Sequence, residues 1–156
     1  MKTESILPVG SAPEPIECAH FPSCQYAVVW RNWGMVSLRS LAGVLNTTEE
    51  NILSLGNSMG LPVPYEYDPI WKSRGYITII RNNWHLLPYS QLLKLLDWTE
   101  ERMAFTLKED DFLWHKFGNL KPAAEEIFYT VPTAEEMEKA SEIKEIMEID
   151  FRKTVR

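Results

Sequence analysis

Glu109, Asp110, Asp111 and His115 form the densest group of side chains in this sequence that could do chemistry. On a helix Asp111 and His115 lie one turn apart, close enough to share a metal ion, and paired carboxylates can exchange protons as acid and base. An acidic run flanked by Lys108 and Lys116 more often forms a solvated face, and that is the reading preferred here. Cys18, His20 and Cys24 offer three zinc ligands, but a tetrahedral site needs a fourth and the spacing matches no common finger. We expect a loop with two free thiols, no bound metal and no cofactor. A glycine-rich phosphate loop, a nucleophile elbow and a supported Ser/His/Asp or Cys/His set are all missing, so enzymatic activity is not expected.

Aromatic side chains supply the other candidates. Asn32-Trp33 and Asn83-Trp84 each pair an aromatic face with an amide, a combination that can orient a ligand. The preferred reading is structural: tryptophan buries a large apolar area and asparagine bonds a neighbouring turn, making a core plug and a turn former. Trp30, Trp71 and Trp114, if exposed, would mark a surface for a partner or for stacking on a sugar.

What positions these residues is a duplication. Residues 26–52 align without a gap on residues 77–103, with identities at Asn32/Asn83, Trp33/Trp84, Leu41/Leu92, Leu45/Leu96, Thr48/Thr99, Glu49/Glu100 and Glu50/Glu101. Such a repeat fixes architecture before it says anything of activity. Each copy opens on a run rich in branched and aromatic residues, Tyr26 to Trp30 and Tyr76 to Ile80, which predicts a strand. Leu38, Leu41, Ala42 and Leu45 then recur at helical spacing, as do Tyr89, Leu92, Leu93 and Leu96. These helices should end near Asn46 and Asp97, with Thr48 and Thr99 capping a second helix in each copy. Gly60 should stop the second helix of the first copy.

We therefore expect a mainly α fold with a minor β element. Two pseudo-symmetric strand–helix–turn–helix repeats, about 26–60 and 76–113, would share one core within a domain spanning 26–121. The two strands should pair across a pseudo-twofold axis. Residues 1–25 read as an extended lead-in, and 61–74 as an ordered extended connection pinned by Tyr65, Tyr67 and Trp71. In the acidic segment 122–156, Thr133 and Glu136 form a capping box ahead of a helix at about 134–150.

The stretch Leu-Ala-Gly-Val-Leu-Asn-Thr-Thr-Glu-Glu-Asn-Ile at 41–52 resembles the helix-turn-helix superfamily, in tandem copies. That resemblance implies DNA binding, with Arg31, Arg39, Asn51 and Arg102 as candidate contacts. The second helices are poorly suited to it: Glu49, Glu50, Glu100 and Glu101 stand at the ends that would meet phosphates. Arg31, Arg39, Arg74, Arg81 and Arg102 are expected to scatter and not to converge beside the second helices. The strings WRNWGMV, SMGLP, YITIIRNNWHLLPY and FTLKEDDFLWHKFGNLKP also resemble an N-terminal module of larger bacterial proteins, some predicted to be carbohydrate-active. This implies a carbohydrate-associated accessory domain, without catalytic residues.

Composition narrows the classes. The chain has 156 residues, 45% of them hydrophobic, enough for a packed core. Its net charge of −6 lies in 1–25 and 122–156, while the repeat region is neutral, which disfavours nucleic acid as a partner. No apolar run approaches the ~20 residues of a membrane span, and no signal peptide is expected. With two cysteines taken as free thiols, the expected setting is cytoplasmic. The leading expectation is an accessory or protein-interaction module, holding a protein or neighbouring domain through its aromatic surface or its acidic final helix.

Overall fold

A computed structural model describes residues 7, 8, 18, 20–110 and 113–155, with side chains as far as 149. Among these residues the chain is helical, without a strand. The first copy comprises α1 (Cys24–Asn32), α2 (Leu38–Leu45) and α3 (Glu49–Ser58). A short α4 (Ile70–Ser73) leads into the second copy, α5 (Tyr76–Asn83), α6 (Tyr89–Leu96) and α7 (Glu100–Glu109). After α8 (Leu113–Lys116), an extended stretch precedes α9 (Ala134–Val155). No helix among the described residues is long and apolar enough to cross a membrane.

The expected β element is thus overturned: both predicted strands are helices, α1 and α5. In α1 the cause is burial on nearly all sides. Gln25 to Val29 are buried in succession, so the apolar run carries no periodicity that separates helix from strand. The turn of the helix becomes legible only when a polar residue is counted as core. Val28, Val29 and Asn32 are each wholly buried, as are Ile79, Ile80 and Asn83, at positions i, i+1 and i+4. The two segments still meet, as helices packed on each other, and α2 packs against α6. One hydrophobic cluster runs through both copies, from Tyr26, Leu41 and Ile52 to Ile80, Leu92 and Met103.

The turn between α2 and α3 repeats between α6 and α7. Asn46 and Asp97 adopt the left-handed conformation, with φ of 53° and 56°. Short-side-chain polar residues enter that region at lower cost than bulky ones. Thr48 and Thr99 then accept hydrogen bonds from the backbone N–H groups of Asn51 and Arg102, each at 3.2 Å. Gly60, at φ 84°, ends α3, and the Leu61 N–H bonds back to the Gly56 carbonyl at 3.0 Å.

The connection 61–74 is not extended throughout, since α4 coils its last part, but it is fastened as its aromatics suggest at one point. The Tyr65 hydroxyl accepts from Gly34 N–H, donates to the Val36 carbonyl, and its ring stands edge-on to Trp33 at 4.6 Å. Tyr67 and Trp71 are instead 44% and 37% exposed. At the other end, Glu136 accepts from Ser23 and Gln25, joining the start of α9 to the start of α1.

Cys18 and Cys24 form a disulfide, so the expectation of free thiols is corrected, and neither sulfur is available to a zinc ion with His20. The argument for a cytoplasmic setting from free thiols lapses with it.

Candidate functional site

The shared signature sits at the centre of the fold and is not a ligand surface. Asn32 Nδ2 donates to Asn83 Oδ1 at 2.8 Å, and Asn83 Nδ2 donates to Asn32 Oδ1 at 2.7 Å. Each amide also donates to the carbonyl four residues back, Val28 or Ile79. The turn-former role expected of these asparagines gives way to a buried reciprocal pair. Their neighbours differ: Trp33 is half-buried and donates Nε1 to the Pro62 carbonyl, whereas Trp84 is fully buried and donates to the Leu120 carbonyl.

Trp84 organises an aromatic box. Phe117 stacks on it at 4.5 Å, and Tyr89 and Trp114 meet it edge-on at 5.9 and 6.0 Å. Into this box comes Lys121, whose Nζ lies 5.4 Å from the Trp84 ring and 5.5 Å from the Tyr89 ring and donates to the Leu87 carbonyl at 2.7 Å. Burial pulls its ammonium down to about 8. Burial also raises the Tyr89 hydroxyl above its ordinary range. Trp114 is therefore a packing residue, while Trp71 on α4 remains exposed.

Two buried glutamines hold the extended stretch before α9. Gln91 donates to the Val44 and Ile127 carbonyls and accepts from Ile127 N–H at 2.8 Å. Gln25 donates to the Thr130 carbonyl and accepts from its N–H, both at 3.0 Å. The Tyr129 N–H bonds the Leu45 carbonyl at 2.9 Å. Sequence reasoning passed over Gln25, Gln91 and Lys121, because a lone polar residue beside an apolar stripe looks like the edge of a solvated face.

The candidate DNA contacts do not converge on the second helices. Arg39 is exposed on α2, and the Asn51 amide donates to Thr47 Oγ1 at 2.8 Å. The Arg102 guanidinium lies over Trp98, 4.4 Å from the ring centre. In addition α9 packs on α3, setting further carboxylates beside that helix. His115 is exposed, with Nδ1 3.4 Å from the Asn119 amide, and Asp111 lies outside the described residues.

Two arginines do come together, away from the second helices. Between the C-terminal ends of α1 and α5 a cavity of about 520 Å³ is lined by Cys18, Trp30, Arg31, Arg81, Asn82, His85 and Leu86. Arg31 Nη1 donates to the Asn82 carbonyl at 3.3 Å, and Trp30 is propped by Phe21, 6.0 Å away. The His85 imidazole is held below its ordinary range by desolvation first, then by the positive charges of Lys121 and Arg31.

Packed on α3, α9 turns Ala140, Ile143 and Met147 inward. Ile146 and Ile149 are 59% and 45% exposed. At 100° per residue they share the outward face with Glu138, Glu142 and Glu145.

No known protein family matches this chain, and neither does any curated protein or solved structure.

Proposed function

We propose that this chain is a non-catalytic accessory module that holds a protein partner on the outward face of α9. One observation carries the reading: two isoleucines stand exposed on a surface that also carries Glu138, Glu142 and Glu145, with Lys139 beside Ile146, although the opposite face already anchors the helix. A helix held only by its inner face has no packing need for outward Ile146 and Ile149. Apolar contacts at the centre of an acidic rim suit a basic amphipathic helix, whose apolar side would cover the isoleucines and whose lysines or arginines would meet the glutamates.

A fluorescent amphipathic peptide of leucine and lysine tests this by anisotropy, with a leucine and glutamate peptide as its counterpart. The basic peptide should bind, more weakly as salt rises, and an Ile146→Asp, Ile149→Asp protein of unchanged circular dichroism should lose it. Equal binding of both peptides, or binding that survives both substitutions, overturns the proposal.

A further inference from the structure

We propose that the cavity between the C-terminal ends of α1 and α5 binds a small phosphate monoester that carries a ring, of nucleoside-monophosphate size. The inference is independent of the α9 reading. It begins from a local charge that runs against the whole: in a chain of net charge −6, Arg31, Arg81 and His85 line one cavity with the amide residue Asn82, and no carboxylate lies among the lining residues. Among the described residues neither guanidinium pairs with a carboxylate. Each arginine lies in the last turn of its helix, where a positive charge offsets the dipole. That accounts for one arginine per helix, but not for their meeting across a cavity with an imidazole and an indole.

The chemistry selects a phosphate over a carboxylate. One guanidinium fork satisfies both oxygens of a carboxylate, whereas two forks and an imidazole match the three free oxygens and double charge of a phosphate monoester. Arg31 is already oriented by its bond to the Asn82 carbonyl. His85, whose imidazole desolvation and the charges of Lys121 and Arg31 hold below its ordinary range, faces the same space and gains a favourable partner when a dianion enters between it and the two arginines. The volume, about 520 Å³, lies within the range of small-ligand pockets and far exceeds a lone phosphate. Trp30 and Leu86 give the remaining space an aromatic and an aliphatic wall.

The repeat itself points the same way. Asn32 and Asn83 are the same residue at equivalent positions, but around the cavity the copies have diverged into complementary sets. Trp30 stands where the other copy has Arg81, Arg31 where it has Asn82, and His85 where it has Gly34.

The full chain is titrated with adenosine monophosphate, adenosine and inorganic phosphate, read by calorimetry and by the Arg31 and Arg81 side-chain signals in NMR. The monophosphate should bind and move both arginine signals, while adenosine should not bind measurably. Arg81 is exposed, so Arg81→Ala should keep the fold and weaken the monophosphate roughly tenfold or more, as expected for a lost charge-assisted bond. Arg39→Ala, an exposed arginine on α2, should leave the affinity unchanged. Unmoved arginine signals, or equal losses in the two variants, overturn the site. Inorganic phosphate binding as tightly as the monophosphate overturns the ring component.

Discussion

Asn32 and Asn83 exchange two amide hydrogen bonds across the interface of α1 and α5, each wholly shielded from solvent, at equivalent positions of a duplicated segment. Because each amide also bonds a carbonyl of its own helix, the pair fixes both the register of the two helices and their rotation about their axes. In an apolar interior any other register would leave two polar groups unsatisfied.

This pair should show strong coupling in a double-mutant cycle. Asn32→Leu alone strands the Asn83 amide and should cost about 2–3 kcal/mol in urea unfolding, and Asn83→Leu a similar amount. The double variant should lose much less than the sum, because no buried polar group is left without a partner. Simple additivity would show that the two bonds do not depend on each other.

The glutamine clasp makes a separate prediction. Gln91→Leu removes the partners of the Ile127 N–H and carbonyl and of the Val44 carbonyl in one step. A stability loss of about 2–4 kcal/mol is expected, with the Ile127 amide losing hydrogen-exchange protection first. Protection that stays at its original level would mean the extended stretch is held by its flanks instead.

For Lys121 the outcome depends on pH. In the fold, burial pulls its ammonium down to about 8, against an ordinary value of 10.5. Below pH 8 both states carry the proton and the folded state bears the whole desolvation cost. Between about 8 and 10.5 the unfolded chain binds more protons, so raising the pH favours the fold. The stability difference between the natural protein and Lys121→Met should therefore move toward the natural protein by up to about 3 kcal/mol across that window. Taking the difference cancels the titration common to both proteins, and a flat difference would refute the burial.

Two helical glycines should respond in opposite directions. A Cβ at Gly43 would meet nothing within 4 Å, so Gly43→Ala should raise stability by about 0.5–1 kcal/mol through helix propensity. A Cβ at Gly56 would enter the ring of Trp33, so Gly56→Ala should lower the melting temperature and release Trp33 from its edge-on contact with Tyr65. Near-ultraviolet circular dichroism reports the second effect.

The helices with one polar face could be read from the sequence: Leu41, Leu45, Leu92 and Leu96 show their spacing, and Thr48 and Thr99 mark the turns. What stayed hidden is what the core does with polar side chains. Asn32 and Asn83 broke the apolar pattern that would have marked α1 and α5 as helices, and Gln25, Gln91 and Lys121 gave no sign that they face inward. For the cavity, Trp30 and Arg31 stood among the candidates singly, but their meeting with Arg81 and His85 depends on α1 lying against α5, which no local pattern encodes.

The clasp at Ile127 and Thr130 also bears on where this chain can be cut. A version ending at Asn119 would retain both repeats in full, yet it would bare the amides of Gln25 and Gln91 and the carbonyl of Leu45 and empty the aromatic box of its lysine. Each is a polar or apolar surface matched to one particular strap. The minimal autonomous fragment is accordingly longer than the duplication that defines it, and shortening from the C-terminus should weaken the fold as α9 is lost and abolish it once Thr130 is passed.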